Sequence, residues 1–173
     1  IVFPHIAGKV VGFDTDLETF EQFQSHHLMH NGREYDVAIF GIIKYFRLIT
    51  DNNPNMLDTL FVPPQCIIHA TSIGKRVRDH RHLFLSKNVW HKFRGYAFSQ
   101  LNKAESKKPE GKRLEGFEKF GYDRKFASHV VRLMDENEQL LVSGDMDITR
   151  SREMQKAIKR GDMPFEEIKK WFY

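Results

Sequence analysis

The sequence holds a single cysteine, Cys66, in 173 residues. One thiol excludes an intrachain disulfide framework and any multi-cysteine metal site, and it fits a reducing compartment. Long apolar runs are missing too. No stretch approaches the roughly 18–20 residues that cross a bilayer, and the opening IVFPHIAGKVV has neither a secretory n-region nor a cleavage site. These absences point to a soluble cytoplasmic chain with no membrane partner. An internal repeat of solenoid period is also absent. What is present suits one compact domain or two small packed lobes: hydrophobic residues make up 40% of the chain and include fifteen Phe, enough to build a core, which excludes wholesale disorder.

Charge is divided unevenly. Residues 1–74 carry 4 Lys/Arg against 8 Asp/Glu, and residues 75–173 carry 23 against 15. An acidic first part and a basic second part suit a carboxylate site facing a phosphate-binding lobe. Ordinary variation of surface charge along a chain is the alternative.

Hydrophobic spacing predicts an α+β architecture. The segment Ile1–Phe20 reads as short strands and tight turns. EYDVAIF, from Glu34 to Phe40, reads as a strand with Tyr35, Val37 and Ile39 on one face, and Gly41 leads into a helix IIKYFRLI. Asn53 and Pro54 predict the start of a short helix that Pro63-Pro64 ends. A further helix is predicted from Ile67 to about His82. Another follows Ser86 to about Ala104, with Val89, Trp90, Phe93, Ala97 and Leu101 as its apolar stripe. Residues 102–122 are rich in charge, Pro and Gly and read as a loop. Asp123 caps a helix in which Phe126, Val130, Leu133 and Met134 face inward. EQLLVSGDM reads as a strand and turn, and two last helices follow Ser151 and Pro164, the latter with Phe165, Ile168, Trp171 and Phe172 inward. The expected division is a sheet-bearing part, residues 1–64, and a helical part, residues 65–173.

Four segments, YDVAIFGIIKYFRLI, NPNMLDTLFVPP, HLFLSKNVWHKFRGYAFSQL and GYDRKFASHVVRLMDENEQLLVSG, resemble in sequence and order the phage-encoded and bacterial nucleotidyltransferases of the DNA polymerase β superfamily, including members associated with RNA repair. The resemblance covers roughly residues 34–144. It implies a small mixed sheet flanked by helices, and transfer of a nucleoside monophosphate from a nucleoside triphosphate to a nucleic-acid, protein or other acceptor. It also implies three carboxylates holding Mg²⁺ or Mn²⁺, because hard divalent cations prefer carboxylate oxygen.

Asp36 matches the third of these carboxylates. The other two belong to a Gly-Ser turn followed by Asp-x-Asp, and no such motif precedes residue 36; Asp14-Thr15-Asp16 follows Gly12-Phe13, without the Ser or the room for that turn. The chain starts on Ile1 rather than Met, so the expectation is a catalytic turn upstream of Ile1 and little activity in this chain alone. The alternative is a module that keeps the fold and binds a nucleotide or nucleic acid without reacting. Lys125, His129 and Arg132 are the candidate triphosphate-binding helix face, and Lys87, His91 and Arg94 repeat that pattern, with Tyr96 placed to stack on a base. Solvated faces and ordinary packing are the alternatives for all of them.

The histidines of HHLMH and DHRH lack the Glu and Cys partners of known zinc motifs, so zinc is not expected. Cys66 is expected to be a small buried residue. Lys107, Lys108, Lys112 and Arg113 offer phosphate contacts, but interleaved glutamates favour a solvated loop.

Overall fold

The computed structural model describes residues 2–3 and 20–173. The expected strands and turns of the opening segment, and with them Asp14 and Asp16, otherwise lie outside the described residues. The chain divides into two compact units, Ile1–Asp51 and Asn52–Tyr173. This division falls ahead of the helix that begins at Pro54, which belongs to the second unit.

The first unit is built on a three-stranded sheet in the order β1-β3-β2. Strand β1 is Val2–Phe3, β2 is Gln22–His30 and β3 is Arg33–Gly41. Central β3 pairs parallel to β1 and antiparallel to β2. The predicted strand is therefore present, with Ile39 buried on the face that also carries Tyr35 and Val37. Strand β2 was not foreseen, although its signal is legible. Asn31 and Gly32 have φ of 49° and 73° and join His30 to Arg33, the two-residue hairpin turn that Asn-Gly favours. A bulge between Ser25 and Leu28, with His27 at φ 58°, breaks the apolar alternation that would have revealed the strand. Helix α1, Ile42–Thr50, follows β3 directly and buries Tyr45 and Ile49.

The second unit is helical: α2 Pro54–Phe61, α3 Ser72–Asp79, α4 Asn88–Ser106, α5 Lys112–Phe120, α6 Arg124–Ser143, α7 Arg152–Arg160 and α8 Phe165–Phe172. Capping explains several boundaries. The side chains of Asn53, Thr71 and Asp123 accept hydrogen bonds from the backbone N–H of Met56, Gly74 and Lys125. The core lies between α4 and α6. Val89, Phe93, Ala97, Leu101 and Ala104 are buried on α4, and Ala127, Val130, Val131, Leu133 and Leu140 on α6. The alanines let the two backbones approach, and each large side chain buried there contributes about 1.5–3 kcal/mol. Ile158 of α7 and Ile168 and Phe172 of α8 close the core.

Several expectations are corrected. The helix expected over 67–82 covers only Ser72–Asp79, because Thr71 supplies the cap and Ile68 points fully into solvent. Residues 102–122 are not a continuous loop. Helix α4 runs to Ser106, and α5 forms where Leu114, Phe117 and Phe120 recur every three residues and share partial burial. The expected strand at 138–146 is the last turns of α6, which buries Gln139 and Leu140 and ends at Gly144. Cys66 is exposed, in a 3₁₀ turn after Pro63 that buries none of its residues. Trp90 and Trp171 are also exposed, at 39% and 41%, each beside helix neighbours that are buried.

Gly161 ends α7 with φ 90°, and a Cβ there would lie 2.2 Å from the Phe120 ring. Gly161→Ala is expected to cost about 1–3 kcal/mol through backbone strain and this clash, seen as a lowered denaturation midpoint.

Candidate functional site

Helices α4, α6 and α7 together line a pocket of about 390 Å³. Each contributes residues one turn apart. Tyr96 and Gln100 come from α4, Lys125, Ser128, His129 and Arg132 from α6, and Gln155 and Lys159 from α7. An α-helix aligns side chains at i and i+4, so three packed helices present three such rows to one cavity. The polar stripe Lys125, His129 and Arg132 therefore lines this concavity, with His129 and Arg132 half-buried and Lys125 exposed at its rim. Tyr96 joins it, its ring meeting the His129 ring edge-on at 5.2 Å.

Arg94 and Lys87 do not line this pocket. Arg94 and Tyr96 are two residues apart, about 200° around a helix, and so face different sides. The Arg94 guanidinium lies over Trp90 and Phe172 at 5.2 and 5.9 Å and lines a separate concavity of about 360 Å³ with His91 and Phe98. Lys87 precedes the first turn of α4 and lines neither.

Electrostatics inside the first pocket differ from the expected cluster of three cations. Burial, then the charges of Arg132 and Lys125, push the His129 imidazole down to about 4, so it is neutral at pH 7. Arg132 Nη2 lies 2.8 Å from His129 Nε2 and 3.4 Å from Asp58 Oδ2. Its Nε lies 3.6 Å from Glu136 Oε1. Glu136 is 1% exposed, and burial, then the Asp58 charge, push its carboxyl up to about 8. Lys125 and Lys159 are the exposed cations of the rim. The contribution of α7 was not legible in the sequence, because only the packing of α7 on α6 brings Lys159 to Lys125.

In the first unit, Asp36 stands on β3 with its side chain 70% exposed. The His27 N–H, turned toward it by the bulge, donates to Asp36 Oδ1 at 3.2 Å, and His26 Nδ1 is 3.4 Å away. The backbone hydrogen bond from His27 holds this carboxyl below the usual range, opposed by desolvation and aided by the His26 and His27 side chains. An ionised, exposed carboxylate fits a hard divalent cation as one ligand. Among the described residues no group of three or more His, Cys, Asp or Glu is arranged to hold a metal ion. His26 and His30 stand on β2 rather than on a helix. Among the same residues no helix is long and apolar enough to cross a membrane.

Comparison with known proteins bears on these features. No curated protein matches the chain, and no solved structure matches it. The model of the RNA repair pathway DNA polymerase beta family matches residues 19–159, which takes in Asp36 and every residue lining the α4–α6–α7 pocket. The chain belongs to this polymerase-β-like nucleotidyltransferase family.

Proposed function

We propose that this protein transfers a nucleoside monophosphate from a nucleoside triphosphate to an acceptor hydroxyl in the cytoplasm, with the α4–α6–α7 pocket as the nucleotide seat. The observation that carries this reading is the pocket itself. Two exposed lysines from different helices, Lys125 and Lys159, share it with a half-buried aromatic ring, Tyr96, and a neutral imidazole, His129. Lysine ammonium groups suit phosphate as point charges, and an aromatic face suits a base. In the transfer, the acceptor oxygen attacks the α-phosphorus and pyrophosphate leaves. Asp36 is the proposed metal carboxylate. Mg²⁺ or Mn²⁺, when bound, supplies charge neutralisation at the phosphates.

The test is incubation of the full-length protein with α-labelled nucleoside triphosphates, with and without Mg²⁺, alongside calorimetric binding. Label transfer that requires the metal is expected. Lys125→Ala is expected to weaken nucleotide binding about tenfold, the value of one charge-assisted contact. A second reading is a binding module without chemistry, favoured because among the described residues no group of three or more His, Cys, Asp or Glu is arranged to hold a metal ion. It predicts salt-sensitive binding indifferent to Mg²⁺, and no transfer.

A further inference from the structure

Arg132 is a pocket residue whose guanidinium is already engaged on its inner side. Asp58 of α2 approaches Nη2, Glu136 one turn along α6 approaches Nε, and His129 Nε2 lies 2.8 Å from Nη2. Arginine only donates, so His129 Nε2 accepts. The imidazole proton therefore sits on Nδ1, which lies 3.3 Å from Gln100 Oε1 and donates to it. Asp58 Oδ1, Arg132 Nε and both Glu136 oxygens are buried with no hydrogen-bond partner among the described residues, so Glu136 packs against Arg132 without a hydrogen bond to it. A half-buried and a buried carboxyl against one guanidinium do not both ionise at neutral pH, because the guanidinium balances only one charge and burial penalises the other.

We infer that Asp58 and Glu136 are positioning residues: they hold Arg132 against His129 Nε2, which fixes His129 as the neutral Nδ1–H tautomer donating to Gln100, and they leave Lys125 and Lys159 to meet an anionic ligand. The last clause rests on the nucleotide reading above; the tautomer does not. The groups facing Glu136 are Asp58 from α2 and Arg132 and Asp135 from α6. The charges of Asp58 and Asp135 favour a protonated Glu136, and Arg132 opposes them. A phosphate drawn to Arg132 would have to displace Asp58, stranding a half-buried carboxylate. The exposed lysines carry no such penalty.

The experiment is nitrogen NMR of the full-length protein with ¹⁵N-labelled histidine, recorded across pH, for the parent and for Asp58→Asn, Arg132→Lys, Glu136→Gln and Lys125→Ala. In the parent, His129 should show the Nδ1–H pattern at pH 7 and titrate near 4, well below its usual 6.5. Asp58→Asn and Arg132→Lys should mix the two tautomers, while burial and the retained positive charges keep the titration below the usual 6.5. Glu136→Gln, a neutral shape-match, should keep the parent pattern at pH 7, which maintains the test if Asp58→Asn fails to fold. Lys125→Ala should leave the tautomer unchanged while weakening binding of a nucleoside triphosphate about tenfold.

An Nε2–H tautomer in the parent, or a pattern unaltered by Arg132→Lys, overturns the assignment. A parent that shows the Nδ1–H pattern, lost in Arg132→Lys, but binds no nucleotide supports the positioning role and overturns the nucleotide seat.

Discussion

Asp36→Asn is expected to reduce metal-dependent nucleotide transfer by the full-length protein to below about one thousandth, with the fold intact. The carboxylate stands on central β3, exposed and ionised, and it is the metal carboxylate of the proposed mechanism. Removing an anionic ligand from a divalent cation removes the charge that keeps the cation in place. Asn retains both the size of Asp36 and an oxygen that accepts the His27 N–H, so the bulge persists. Circular dichroism and the thermal midpoint should therefore match the parent, and nucleotide binding at the α4–α6–α7 pocket should stay within about twofold. A variant that keeps its transfer rate would remove Asp36 from the mechanism.

Glu136→Gln is expected to stabilise the protein in the alkaline direction, reaching on the order of 3–5 kcal/mol by pH 8. The unfolded chain releases the Glu136 proton near its usual 4.5, whereas burial and the Asp58 charge hold it in the folded protein up to about 8. Below 4.5 both states are protonated, and Glu136 contributes no pH dependence. Between 4.5 and 8 the folded state binds more protons than the unfolded, so parent stability falls as pH rises. Above 8 the deficit is constant. Gln does not titrate, so the two curves should meet within about 1 kcal/mol at acid pH, where a buried amide and a buried carboxylic acid carry similar unsatisfied groups. Urea midpoints at several pH values, with an unchanged m-value, measure this divergence. Parallel curves would show that Glu136 ionises normally in the folded protein.

Much of the local structure was legible in the residues. Asn53-Pro54 and Asp123 announced helix starts because a short polar side chain satisfies N–H groups that the first turn leaves unpaired. EYDVAIF was legible as a strand, and KFASHVVRLM as a helix with Lys125, His129 and Arg132 in one row, because both patterns express periods built into the backbone. The hairpin strand β2 escaped because the bulge at His27 interrupts its alternation, although Asn31-Gly32 marks its turn. Helix α5 escaped because Gly111 and Gly116 read as loop residues. The space at Gly116 is set by Arg124, whose guanidinium would lie 2.5 Å from any Cβ there.

The sequence by itself determined the α+β class, the order of most helices, the family and the row of polar residues on α6. These depend on period and on near-neighbour chemistry, which a linear chain carries intact. Tertiary structure alone decided that this row lines a pocket, that Lys159 joins it and Arg94 does not, and that His129 is a neutral member between cations. It also decided that Arg132 is held from behind by Asp58 and Glu136. Such properties depend on which helices pack together and on how much water they exclude, and both are set by contacts between residues far apart in the chain.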